Sequence, residues 1–130
     1  MIISCGVDVC ETARIAQMVA DHGDAFLKRT FSSEELAYAQ GRARESEHLA
    51  ARFAAKEAVM KALGTGWSSG VSWLDISVSL PPSGAPALAV TGKASEIARQ
   101  RGITKWHLSL SHCDSFGIAM VVAEGPDAEG

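Results

Sequence analysis

Glu57 and Lys61 are the first residues in this chain whose types and spacing could do chemistry. They stand one helical turn apart in the stretch Ala51-Arg-Phe-Ala-Ala-Lys-Glu-Ala-Val-Met-Lys-Ala-Leu-Gly-Thr-Gly66. At about 100° per residue, Phe53 and Met60 fall roughly 40–60° to one side of Glu57, with Ala50, Ala54 and Lys61 within a similar arc on the other. Glu57 is therefore expected along the apolar face. A carboxylate there needs a cation, a metal or strong donors. The plainer alternative is an exposed i,i+4 pair of Glu57 with Lys61, worth about 0.2–0.5 kcal/mol. A second carboxylate, Asp8, ends an apolar run. It is either a helix-cap residue or a ligand presented at a strand end. Gly64-Thr65-Gly66 opens a Gly/Ser loop through Gly70, whose backbone amides could face an anion. No Gly-Lys-Ser/Thr follows, so it is not a P-loop. Ser111 and His112 read as a strand-end hydroxyl and a hairpin-turn histidine.

The elements that must position these groups are readable from pattern. Ile2 to Val9 is short, apolar and β-branched, a buried strand in which Gly6 marks close backbone approach. Thr12 to Val19 reads as a helix with Ile15, Met18 and Val19 on one face and Arg14 exposed. Ala25 to Arg29 is a short helical or irregular piece, and Ser32-Ser33-Glu34-Glu35 starts a helix running to about Gln40. Arg42 and Arg44 form a small basic cluster expected on solvated surface. Glu45 to Leu63 is the long helix, closed by Gly64. Trp73 to Leu80 and Ala87 to Val90 form a hairpin, Gly92 to Arg101 a helix, and Trp106–Ser111 with Ser115–Val122 a second hairpin around His112-Cys113-Asp114. The expected fold class is α+β, a mostly antiparallel sheet packed on one long helix. Residues 1–125 are expected to be one domain and 126–130 a frayed tail.

Composition bounds the function classes. The 130 residues suffice for one core, and 47% hydrophobic with 21% charged residues suits a globular chain. A net charge of −3 argues against nucleic acid as partner. No apolar run could span a membrane, and Met1 to Val7 lacks a basic n-region, so the expected location is cytoplasmic. The odd cysteine count, Cys5, Cys10 and Cys113, points to reduced thiols.

Three separated signatures coincide. They are Gly6-Val-Asp8-Val-Cys-Glu11-Thr-Ala-Arg14, Arg52-Phe-Ala-Ala-Lys56-Glu57-Ala-Val-Met-Lys61-Ala-Leu-Gly64-Thr-Gly66, and Trp106-His-Leu-Ser-Leu-Ser111-His112 with Ala119-Met-Val-Val122. Together, over nearly the whole chain, they resemble the holo-acyl-carrier-protein synthase family, the small single-domain class of 4′-phosphopantetheinyl transferase. The middle signature is the specific one.

The resemblance implies transfer of 4′-phosphopantetheine from coenzyme A to a serine of an apo acyl carrier protein, releasing adenosine 3′,5′-bisphosphate. It implies Asp8 and Glu57 as ligands of Mg²⁺, with Mn²⁺ possible. It implies Glu57 or a metal-held water as base, and Lys61 as phosphate contact. Coenzyme A would lie across the helix end, against Gly64-Thr65-Gly66, Ser111 and His112. Arg52 would reach a phosphate or the adenine side, and Pro86 would lie beside the adenine. Ala85 stands where the family's turn carries a basic residue. Arg14 matches the carrier-docking helix, whereas Asp21 and Asp24 stand where basic residues are often found, with Lys28 and Arg29 as substitutes. The family pattern also implies a homotrimer with the cleft between subunits. Two alternatives stand beside this reading: a catalytically silent oligomeric nucleotide-binding domain of the same fold, and a structural α+β domain in which Glu57 and Lys61 merely pair.

Overall fold

The computed structural model describes residues 1–66 and 69–127. Its elements follow in the order β1 (Ile2–Glu11), α1 (Thr12–His22), α2 (Asp24–Thr30), α3 (Ser33–Ala39), α4 (Glu45–Leu63), β2 (Ile76–Ser79), β3 (Ala87–Val90), α5 (Gly92–Gln100), β4 (Lys105–His112) and β5 (Phe116–Glu124). All strand pairs are antiparallel, as the α+β expectation required. The larger sheet has the order β1-β5-β4, with Asp8 opposite Ala119 and His112 opposite Gly117. The smaller sheet is the β2–β3 hairpin, with Ile76 opposite Val90.

Local sequence explains most boundaries. Ser32 caps α3 by a capping box: its hydroxyl accepts from Glu35 N–H while the Glu35 carboxylate accepts from Ser32 N–H. Gly64 closes α4 with φ 75°, a left-handed C-cap. The strand expected from Trp73 begins later, because Trp73–Asp75 forms a 3-10 turn capped by Ser72 and Asp75; β2 follows from Ile76. Of the expected Gly64–Gly70 loop and the expected frayed tail, Trp67–Ser68 and 128–130 lie outside the described residues.

Helix α4 crosses the inner face of the larger sheet at very short range. A Cβ built on Gly6 would lie 2.1 Å from the Ala58 carbonyl oxygen, and one on Gly117 would lie 2.3 Å from the Ala51 nitrogen. Only glycine on the strands and alanine on the helix permit this approach. The helix is not amphipathic as the sequence pattern suggests. From Leu49 to Leu63 every residue is buried except Glu57 and Lys61, because α4 is enclosed by the sheet, α1, α3, β2 and α5. Glu57 and Lys61 thus mark the one stripe that reaches the surface, rather than lying on an apolar face.

The opposite face of the larger sheet is apolar and uncovered. Val7, Val9, Phe116, Ile118 and Met120 are 41–55% exposed there. The three cysteines are free, and no described helix is long and apolar enough to cross a membrane.

Candidate active site

The contact between Gly6 and Ala58 determines what meets at the C-terminal end of α4. Two residues along β1 comes Asp8, and beside Ala58 comes Glu57. The two carboxyls share a hydrogen bond. Burial, then that hydrogen bond and the negative charge of Asp8, push the Glu57 carboxyl up to about 7, while Arg14 and Lys61 oppose the rise. Lys61 Nζ lies 2.8 Å from Asp8 Oδ1 and donates to the Val7 carbonyl at 3.1 Å. Its ion partner is therefore Asp8, not the Glu57 that helical spacing favours, and this bond raises the ammonium's pKa. A cleft of about 200 Å³ opens here, lined by Glu57, Met60, Lys61, Gly64 and Gly66.

Two carboxyls brought together this closely, beside an open cleft, are a donor set that a hard divalent cation would suit. Among the described residues no third His, Cys, Asp or Glu joins them. Mg²⁺ suits such a set, because it keeps several waters and takes one or two carboxylates together with substrate phosphate oxygens. The anion reading of the glycine turn narrows. Gly64 N–H and Thr65 N–H both donate to carbonyls at the end of α4, which leaves Gly66 for that role.

A second polar cluster forms at the other end of α4. His112 Nδ1 is 2.9 Å from Glu47 Oε1, and its ring meets His48 edge-on at 4.8 Å. Arg44 lies 3.6 Å from Glu47 and 3.9 Å from Asp114, so one arginine of the expected solvated cluster joins this site. Glu47 and His48 carried no local sequence signal; they are assembled by the β4–β5 hairpin folding over α4. Ten residues of helix separate Glu47 from Glu57, about 15 Å along the axis. Within one chain, then, Ser111 and His112 stand toward the opposite end of α4 from Gly64–Gly66, as a cleft shared between subunits would require.

Arg52 occupies a third face of α4. It is buried, donates to the His48 carbonyl at 3.2 Å and stacks 4.3 Å from the Tyr38 ring. It lines a cavity with Tyr38, Arg42, Val78 and Leu80. Pro86 lies in the β2–β3 connection, immediately before β3.

One turn of α4 before Glu57, at Phe53 and on the α1 side, is an apolar cleft of about 170 Å³. Its walls include Met18, Phe26, Phe53 and Trp73, with Arg14 and Arg29 at the rim. The Arg14 guanidinium sits 5.1 Å from the Phe53 ring, and Phe53 packs 4.7 Å from Trp73. Arg14 was legible as an exposed cation and Arg29 as a substitute docking cation; the aromatic floor was not, since Trp73 comes from a distant turn.

Comparison with known proteins identifies the family. A family model described as the 4′-phosphopantetheinyl transferase superfamily matches residues 4–121. A holo-acyl-carrier-protein synthase of Koribacter versatilis is 44% identical over 124 residues, covering 95% of this chain and 99% of the relative. The crystal structure of holo-acyl-carrier-protein synthase from Neisseria meningitidis is similar with a TM-score of 0.84 at 35% identity, covering 95% of this chain and 99% of that one. The Helicobacter pylori holo-acyl-carrier-protein synthase, solved in complex with coenzyme A, has a TM-score of 0.80 at 33% identity, with 92% and 99% covered. The chain belongs to the 4′-phosphopantetheinyl transferase superfamily, among its holo-acyl-carrier-protein synthases.

Proposed function

We propose that this chain transfers 4′-phosphopantetheine from coenzyme A to a serine hydroxyl of an apo acyl carrier protein, releasing adenosine 3′,5′-bisphosphate. The observation that carries the reading is the convergence of Asp8, Glu57 and Lys61 at one end of α4, the only surface-reaching stripe of its buried length. A bond forms from the serine oxygen to the phosphorus that bears pantetheine, and the pyrophosphate bridge bond breaks. In this reading Glu57, or a water beside it, takes the serine proton, and Lys61 meets the negative charge left on the departing bisphosphate. Asp8 orients Lys61 through their 2.8 Å contact. A divalent cation, Mg²⁺ or Mn²⁺, would be held by Asp8 and Glu57 and would supply neutralisation of phosphate charge. The silent-domain alternative has no chemical need for all three side chains.

The cleft one turn before Glu57 suits the carrier. Arg14 and Arg29 match an acidic partner, and the apolar walls suit a buried side chain of it. The uncovered apolar face of the larger sheet supports self-association, read here as a homotrimer. A neighbouring copy would then bring its own Ser111 and His112 toward this chain's Glu57 end, resolving the 15 Å separation expected from helix length. The cysteines are free, which suits a reducing, cytoplasmic setting.

Incubation of the protein with coenzyme A, Mg²⁺ and apo carrier proteins, followed by intact-mass measurement of the carrier, tests the reading. A phosphopantetheine adduct that chelator abolishes is expected, and its absence from every carrier tried would defeat the proposal. In the same assay Arg14→Glu should raise KM for the carrier far more than KM for coenzyme A. Equal effects would remove the docking assignment. Co-expressed Glu57→Ala and His112→Ala chains should regain activity that neither has alone if the site is shared between copies.

A further inference from the structure

The buried pair of Glu35 and Lys56 takes no part in this chemistry. Both side chains are 0% exposed, and Lys56 Nζ lies 2.8 Å from Glu35 Oε1. Withdrawing two charges from water is repaid only where every remaining donor and acceptor is satisfied. Here they are. Glu35 accepts from Ser32 N–H and Val78 N–H, both at 2.8 Å. Lys56 has three protons to donate. They go to Glu35, to the Trp73 carbonyl at 3.2 Å and to the Ile76 carbonyl. Well-packed apolar side chains often stabilise as well as such a pair does, so stability alone is a weak reason for it.

What the pair joins gives a better reason. Lys56 directly precedes Glu57 on α4. Its two carbonyl partners bracket the 3-10 turn Trp73–Asp75 and the start of β2. Trp73 is a wall of the apolar cleft and packs against Phe53 of the same helix. One ammonium thus ties the cleft's outer wall to the helical turn that carries Glu57. The Asp8–Lys61 contact depends on β1 and α4 and does not pass through this tie.

We propose that Lys56 and Glu35 are positioning residues: they hold Trp73 at a fixed place relative to the Glu57 turn, and so fix the shape of the seat that binds the carrier. The inference rests on reading that cleft as the carrier site. It concerns carrier recognition and leaves the coenzyme end of the molecule untouched.

The double variant Lys56→Met with Glu35→Gln removes both charges and keeps an acceptor for one of the two amides, which bond different oxygens of Glu35. Steady-state kinetics well below its melting temperature should show KM for the carrier raised about tenfold, about 1.4 kcal/mol. KM for coenzyme A and kcat should stay within about twofold. A purely structural role would lower the melting temperature and the active fraction, seen as kcat, with both KM values unchanged; that result overturns the proposal. Trp73→Ala, which leaves the ion pair in place, must reproduce the carrier effect, and it decides the matter should the double variant fail to fold. An unchanged carrier KM in Trp73→Ala also overturns the proposal. If instead Arg14→Glu leaves the carrier KM unchanged, it is the reading of the cleft that fails.

Discussion

Lys56 and Lys61 stand on the same helix, and each lies 2.8 Å from a carboxylate. Around Lys56 and Glu35 neither side chain reaches solvent. Around Lys61 and Asp8 the lysine is 57% exposed and the aspartate 12%. The first pair has every proton assigned to a fixed acceptor. The second leaves an ammonium at the mouth of a cleft lined by Glu57. Equal distances therefore describe unequal devices. A sealed pair holds elements in register, whereas an open one can exchange its partner for a substrate phosphate. The difference comes from which stripe of α4 each lysine occupies.

The largest effect should come from removing the group between them. Glu57→Ala is expected to reduce transfer at least a thousandfold, about 4 kcal/mol or more of barrier. The fold should remain, because no cavity forms inside the core. Any stabilisation by Mg²⁺ in thermal melts should vanish with it, and a variant that melts far below the parent would contradict this division of roles. Next in size is Lys56→Ala, which leaves Glu35 buried and unpaired; denaturant unfolding should show a loss of about 3–5 kcal/mol. A loss below 1 kcal/mol would mean the two pairs are more alike than their burial implies. Lys61→Ala should do the converse. Transfer should fall by about 2.7–4 kcal/mol of transition-state stabilisation, with unfolding free energy within about 1 kcal/mol of the parent. The smallest effect is that of salt. Raising ionic strength from about 0.1 to 1 M shortens the screening length from about 10 to 3 Å. That change should weaken carrier turnover, while the stability gap between Lys56→Ala and the parent persists. A gap that closes in salt would place Lys56 in contact with water.

Much of this architecture was legible in the chain. The bounds of α4, Glu45 to Leu63, follow from a run of strong helix formers and Gly64. The antiparallel hairpins follow from alternation and turn residues. Asp8 and Glu57 could be paired only through three coinciding signatures, because nothing local links them. Partner choice was harder. Helical spacing couples Glu57 with Lys61, yet β1 passes close enough to give Lys61 to Asp8. The charges Lys56 and Glu57 are adjacent in sequence, and only the enclosure of α4 on all but one stripe separates a buried lysine from a half-buried glutamate. The contacts of Glu35 with Lys56 and of Glu47 with His112 join distant segments, so no window of sequence contains them. The 3-10 turn at Trp73 was missed because Ser72 and Asp75 cap each other within a stretch that alternates like a strand.

The contact of Gly6 with the Ala58 carbonyl has a consequence for mutational tolerance. The spacing of Asp8 from Glu57 is set by backbone meeting backbone, two residues from one carboxylate and one from the other. No side chain in that gap can be trimmed or swapped to retune it. A single added methyl at position 6 would act as a shim, prying the strand from the helix and opening the jaws of the site without altering any residue that lines it.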